Sequence, residues 1–336
     1  MVIFIQVESL DKSVIDYKVG NKAVTPFLNR LVDSSLFFPN IFAQHLGGSS
    51  SDAELSSLTG LIPLKGEPAY LSMAFAKVFS LPRLLDSLDY HTQAFHAYTG
   101  RFFHRGPAFD ALGFNYFYDE EYYSGPAKGW TTKDSAFFVQ TAEYNGKLPK
   151  PYFAYLITLQ SHGPFMNHSA SEFSFGSNTL PILKDYLTSI HEVDRALELL
   201  ILKLKSRNVF DSTVIFIYGD HACGIKIECQ RNQRFCMDDN NENIPLYVLS
   251  PGYGPRVIRK IGSNLDYTPT LLSILNIDRG RQLMGSSLLD GGKGLAILNQ
   301  DPPKLITSDT LTSKPFAQPL PDDFFRFIDY SNSLLK

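Results

Sequence analysis

The chain has 336 residues, 31 Lys and Arg against 34 Asp and Glu, and a hydrophobic share of 44%. That length suits one large α/β domain with room for a small appended unit. The formal charge of −3 excludes a basic footprint for nucleic acid, and no run approaches eighteen apolar residues, so no segment reads as a membrane span.

The first element begins at once. Val2-Ile3-Phe4-Ile5-Gln6-Val7 is a β-branched and aromatic run that stops at Glu8-Ser9. Such continuous apolar runs are the mark of strands buried on both faces, as in parallel sheets. A chain seldom opens inside a core strand, so further residues are expected upstream of Val2. Thr25-Pro26-Phe27-Leu28-Asn29-Arg30-Leu31 reads as a helix start, with Thr25 as cap and Pro26 at the first helical position. Gly47-Gly48-Ser49-Ser50-Ser51-Asp52-Ala53-Glu54 reads as a glycine-serine turn feeding another helix. Ser51 with Glu54 three residues on fits a capping box, which puts Ser50 just ahead of the cap. Helix N–H groups there favour an anion, whether a phosphate or a serine alkoxide. An ordinary well-capped turn explains the same residues.

Further along, 80–88 reads as a helix and 92–97 as a short strand. From Tyr98 to Trp130 the periodicity is weak, and long loops are expected. Tyr152 to Leu159 is a second buried strand, followed by Gln160-Ser161-His162-Gly163-Pro164. An apolar stripe of Ile190, Val193, Leu197, Leu200, Ile201 and Leu204 predicts a long helix over 183–204. Thr213 to Tyr218 is a third buried strand, ending in Gly219-Asp220-His221. Residues 244–249 give a further strand and 266–275 a helix. Past Asp290 the composition turns to Pro, Ser and Thr, so 1–296 is read as the main domain and 297–336 as a C-terminal subdomain or tail. Alternating strands and helices predict an α/β fold, a mostly parallel central sheet sandwiched by helices.

Three core strands thus release Glu8, His162 and the Asp220-His221 pair at their carboxyl ends, where open α/β sheets bind ligands. A carboxylate beside an imidazole is a ready pair of metal ligands. The bland alternative is that Asp220 caps a loop and His221 packs beneath it. Cys223, Cys229 and Cys236 fit no standard zinc spacing. A local Cys229–Cys236 disulfide with Cys223 unpaired is preferred over three reduced thiols.

With these residues in place, the chain resembles the sulfatase-like branch of the alkaline phosphatase superfamily. Within that branch it is most similar to the extracellular domain of lipoteichoic acid synthases and related phosphoglycerol transferases. The landmarks are Val7-Glu8-Ser9, Thr25 to Asn29, Gly48 to Glu54, Leu156 to Phe165, Tyr218 to His221 and Asp266 to Leu271. The resemblance implies one divalent ion, Mn2+ before Mg2+ or Zn2+, held by Glu8, Ser50, Asp220 and His221. It also implies Ser50 as nucleophile where the family usually carries threonine, and His162 as proton donor to the departing alcohol or phosphate holder. Phe103-His104-Arg105 stands where the family shows Trp-Asn-Arg. With His96 and His162 it would cradle the head group, Arg105 forming a bidentate contact to a phosphoryl oxygen. The implied activity is transfer or hydrolysis of a phosphoglycerol-type group on a lipid or glycan, through a covalent intermediate on Ser50. The implied place is the outer side of the cytoplasmic membrane, with a membrane anchor upstream of Val2. Phosphoethanolamine transfer, sulfuric ester hydrolysis and non-catalytic binding of a phosphorylated glycan are the alternatives. A formylglycine-type sulfatase would need Pro and Arg at fixed offsets, which Ser50 to Glu54 lack.

Overall fold

A computed structural model describes residues 1–44, 50–64, 66–72, 78–124, 132–225, 242–278, 283–292, 294–298, 304–308 and 315–335. In chain order the strands are β1 Val2–Val7, a hairpin of β2 Lys18–Val19 and β3 Lys22–Ala23, then β4 Leu36–Phe42, β5 His91–Phe95 and β6 Tyr116–Tyr118. There follow β7 Tyr152–Ile157, β8 Val214–Gly219, β9 Asn243–Leu249, β10 Arg256–Val257 and β11 Gly262–Ser263. The last three are β12 Ala296–Leu298, β13 Lys304–Ser308 and β14 Pro315–Pro319.

Among the described residues, nine strands form one sheet, ordered β10-β4-β9-β8-β1-β7-β5-β6, with β11 also on β4. The β1 strand lies at its centre, parallel to both β7 and β8, with Val7 opposite Gly219. Only β9 runs against its neighbours, antiparallel to β8 and β4. The α/β sandwich expected from the sequence is therefore observed, with β9 as the one reversed strand.

The unbroken apolar runs follow from burial on both faces. Ile3, Ile5 and Val7 enter one core and Val2 and Phe4 the other. The first core is covered by helices Pro26–Val32, Asp134–Asn145 and Pro181–Ser206. The second lies beneath helices Ser50–Thr59, Leu81–Asp86, Arg105–Ala111 and Tyr267–Leu275. Each fully buried large apolar side chain contributes about 2 kcal/mol.

Several elements depart from the sequence reading. No strand is expected over 36–42, yet β4 pairs with β9 there. Its Pro39 is tolerated because the register shifts between Phe38 and Ile41, at an irregularity that needs no ladder N–H. The stretch read as loops contains helix Arg105–Ala111 and strand β6. Both are short and lean on Phe109 and Phe117 contacts rather than local periodicity. Thr25 occupies the cap position but makes no side-chain cap bond. Its hydroxyl goes to the Val14 carbonyl, and the cap is supplied by Asp194, which accepts from the N–H groups of Phe27 and Leu28.

At the C-terminus β12, β13 and β14 form a small antiparallel sheet. Ala296, Leu298 and Ile306 from it pack with Phe42 and Ile261 of the main body.

Candidate active site

Because β1, β7 and β8 are parallel and in register, their carboxyl ends open on one edge of the sheet. Glu8, Ser9, Asp220 and His221 emerge there, and Ser50 joins them from the first position of helix Ser50–Thr59. Ser50 Oγ donates to Glu8 Oε2 at 3.1 Å. His221 Nε2 lies 3.3 Å from Glu8 Oε1 and 3.5 Å from Asp220 Oδ2. One ligand atom from each of Glu8, Asp220 and His221 falls within 4.8 Å of the others. Glu8 and Asp220 are buried, and the His221 side chain is 17% exposed.

The backbone holds this cluster by close contacts across the chain. Asp220 N–H donates to the Val7 carbonyl, which extends the β1–β8 pairing to the site itself. Ser9, at φ +53, is in the left-handed region. That turn lets its N–H donate to Asp220 Oδ1 at 2.8 Å and its hydroxyl to Glu8 Oε1 at 2.9 Å. Ser161 Oγ donates to the Glu8 carbonyl, and Glu8 N–H donates to Thr158 Oγ1. His221 Nδ1 pairs with the Ala222 carbonyl at 2.7 Å, so Nε2 is the nitrogen that faces the carboxylates.

Burial pushes the Glu8 carboxyl up, but the hydrogen bond and charge of His221, with His162 and Ser9, outweigh it and hold it at about 2. Burial and the neighbouring Glu8 charge push Asp220 up to about 7. Burial alone would lower His221, yet Asp220 and Glu8 carry it well above the ordinary imidazole range. Asp220 Oδ2 is buried without a hydrogen-bond donor. Two carboxylates and one imidazole, with a buried oxygen lacking a donor, fit the donor set of a divalent metal.

Around this cluster stand the other residues singled out by the sequence. His162 is half-buried, with Nδ1 2.7 Å from the Gly163 carbonyl. Its charge contributes to the lowering of Glu8, which puts it beside the cluster. His96 is buried, with Nδ1 3.0 Å from the Ile157 carbonyl. Burial first, and then the charge of Arg105, bring it down to about 3, so it is neutral.

Arg105 is already paired within the protein. It is 2% exposed, and one edge of its guanidinium is already taken. Nε donates to Glu54 Oε2 at 3.1 Å and Nη2 to Glu54 Oε1 at 2.7 Å. What remains is Nη1, buried and without a partner. The capping box falls with it, because Glu54 spends both oxygens on Arg105 and the helix already includes Ser50.

Phe103 and His104 both have φ +54. Phe103 is half-buried against Phe102, ring centroids 4.3 Å apart. His104 is exposed and lines a depression with Arg101, Gly106, Pro107 and Asp119, which His96, Arg105 and His162 do not line. The structure therefore brings Glu8, Ser50, Asp220 and His221 together, keeps His162, His96 and Arg105 near them, and does not bring in His104. Cys223 is buried and in no disulfide, and the Cys229–Cys236 pairing lies outside the described residues, as do Gly47 and Gly48. Sequence reasoning missed Ser9 and the Glu54–Arg105 pair. The first follows Glu8 directly at a strand end, which is a usable signal; the second spans 51 residues and has no local one.

Comparison with known proteins agrees with this geometry. The model of the Sulfatase family matches residues 1–277. Lipoteichoic acid synthase 2 of Bacillus subtilis is 31% identical over 301 residues, covering 85% of this chain and 46% of that protein. The chain spans about half the length of the curated relatives it matches. Among solved structures, the lipoteichoic acid synthase LtaP from Listeria monocytogenes superposes with a TM-score of 0.85 at 23% identity, covering 99% of this chain and 90% of that one. The Streptococcus pyogenes phosphoglycerol transferase GacH, in complex with sn-glycerol-1-phosphate, gives a TM-score of 0.60 at 19% identity, covering 82% and 75%. These two likenesses concern the fold. With most of its length matched by the family model, and a carboxylate–imidazole cluster at the edge of a sheet of this type, the chain belongs to the sulfatase family of enzymes, within the alkaline phosphatase superfamily.

Proposed function

We propose that this chain transfers, or hydrolyses, a phosphoglycerol-type group from a lipid or glycan head group, with Ser50 as the nucleophile. The observation that carries the reading is the Ser50 hydroxyl, 3.1 Å from Glu8 in a buried cluster of two carboxylates and one imidazole. The likeness to lipoteichoic acid synthases favours phosphoglycerol over phosphoethanolamine or sulfate. The catalytic unit is proposed to be residues 1–296, acting outside the cytoplasmic membrane and anchored to it by a segment beyond this chain. Among the described residues no helix is long and apolar enough to cross a membrane.

Glu8, Ser50, Asp220 and His221 would hold one divalent cation, with Mn2+ the first choice. When bound, such a cation supplies Lewis acidity at the phosphoryl group and favours loss of the Ser50 proton. Ser50 Oγ then forms a bond to phosphorus as the bond to the departing alcohol breaks. His162 gives that alcohol a proton from its imidazole, whose Nδ1 lies 2.7 Å from the Gly163 carbonyl. In the second half, an acceptor hydroxyl returns its proton to His162 and takes the group from Ser50 Oγ. The N-terminus of helix Ser50–Thr59 and Arg105 Nη1 favour the negative charge on the remaining phosphoryl oxygens.

The test is intact-mass analysis after incubation with Mn2+ and phosphatidylglycerol. A glycerophosphoryl adduct on the native chain, absent from Ser50→Ala, is expected, together with released diacylglycerol. Lipid binding with neither adduct nor diacylglycerol would instead favour the phosphoglycan-binding reading.

A further inference from the structure

We propose that Glu54 is a positioning residue that fixes the Arg105 guanidinium so that its unpartnered Nη1 donates to an anionic phosphoryl oxygen of the substrate. The inference rests on the reading of Arg105 as a phosphate-facing residue and adds what holds it there.

Three observations carry it. The Arg105 side chain is 3% exposed and that of Glu54 0%, so the pair is sealed from solvent. Two of the three guanidinium nitrogens are fixed on the two Glu54 oxygens, which leaves the plane of the group no freedom. The third, Nη1, is buried with no acceptor. A buried donor without an acceptor is costly, and in native proteins such a group calls for an explanation. An anionic oxygen of a bound phosphodiester would complete it.

The placement of Glu54 supports the same role. Ser50 and Glu54 are four residues apart on helix Ser50–Thr59, so they share one face one turn apart. A single rigid turn thus carries both the proposed nucleophile and the carboxylate that holds the proposed anion donor. Building such a pair on one helix fixes their relative position better than two loops would. Glu54 takes the Nε–Nη2 edge of the guanidinium, so the group is offered to the ligand through the end that carries Nη1. A lysine at 105 could not do both.

The test uses the Mn2+-loaded chain and sn-glycerol-1-phosphate as probe. Dissociation constants are measured for the native chain, Glu54→Gln, Arg105→Gln and the double variant, with Mn2+ affinity determined alongside by calorimetry. Each single variant is expected to weaken glycerol phosphate binding on the order of tenfold, with Mn2+ affinity unchanged. The double variant should be no weaker than Arg105→Gln alone, because Glu54 acts only through Arg105. Additive losses, or unchanged binding in Glu54→Gln, overturn the proposal while leaving the wider reading intact. Failure of the native chain to bind the probe overturns both. A crystal of the native chain with Mn2+ and the probe supplies a readout free of folding defects. Nη1 should bond a phosphoryl oxygen while Nε and Nη2 stay on Glu54, and a phosphate bound without Nη1 overturns the assignment.

Discussion

Ser9 and Asp220 stand 211 positions apart, yet the Ser9 N–H donates to Asp220 Oδ1 at 2.8 Å. The same residue turns its hydroxyl on Glu8 Oε1 at 2.9 Å. One serine in a left-handed turn therefore braces both carboxylates of the cluster. Glycine at this position would relieve the backbone but remove the hydroxyl, whereas alanine would remove the hydroxyl and keep the strain.

Both Ser9→Ala and Ser9→Gly are expected to weaken Mn2+ binding about tenfold, the usual scale for losing an outer partner of a ligand. Ser9→Gly should be the more stable of the two by about 0.5–1 kcal/mol. Calorimetric titration and chemical denaturation read the two effects separately. Unaltered metal affinity in both variants would show that the hydroxyl does not matter.

Gly219 precedes Asp220 where two segments nearly touch. A Cβ there would sit 2.3 Å from the Leu10 carbonyl oxygen and 3.1 Å from Ile244 Cγ2. The backbone oxygen cannot swing aside, so Gly219→Ala should cost about 1–3 kcal/mol and shift Asp220. A lower midpoint in urea together with weaker Mn2+ binding is the expected pair of results.

Asp134, which is not one of the cluster's proposed ligands, supplies a pH dependence. Burial, against the N–H groups of Leu159 and Gln160, pushes its carboxyl up to about 7, and its Oδ2 has no partner. Between the ordinary aspartate range and that value the folded chain holds a proton that the unfolded chain has lost. Stability should therefore fall as pH rises from about 4 to about 7, by on the order of 4 kcal/mol, and stay low above it. Asp134→Asn should flatten this slope and be more stable than the native chain at pH 8. Denaturant midpoints across that range are the measurement.

Metal binding should also register as stability. A ligand that binds only the folded chain at a hundredfold excess over its dissociation constant stabilises it by about 2.7 kcal/mol. Mn2+ should raise Tm of the native chain, and chelation should reverse the rise. Asp220→Asn should show neither response, since it replaces one of the two buried carboxylates of the cluster.

Much of this protein is written locally. The runs Val2–Val7, Tyr152–Ile157 and Val214–Gly219 specify strands buried on both faces, because no amphipathic alternation survives when both sides are covered. Their endings point to Glu8, His162, Asp220 and His221, since parallel strands deliver their carboxyl ends to one edge. Other features have no local signature. The strand Leu36–Phe42 contains Pro39 and exists because β9 pairs with it. The cap on helix Pro26–Val32 comes from Asp194, 166 and 167 residues away from the N–H groups it accepts. Glu54 looked like a helix cap and is the anchor of Arg105, a choice made by burial, which leaves a carboxylate and a guanidinium no water to share and so drives them together. The sequence by itself determined which residues could do chemistry at the strand ends. The tertiary structure decided which of them are braced, by Ser9, by Gly219 and by Glu54, because those contacts join segments that only the assembled sheet and its helices bring together.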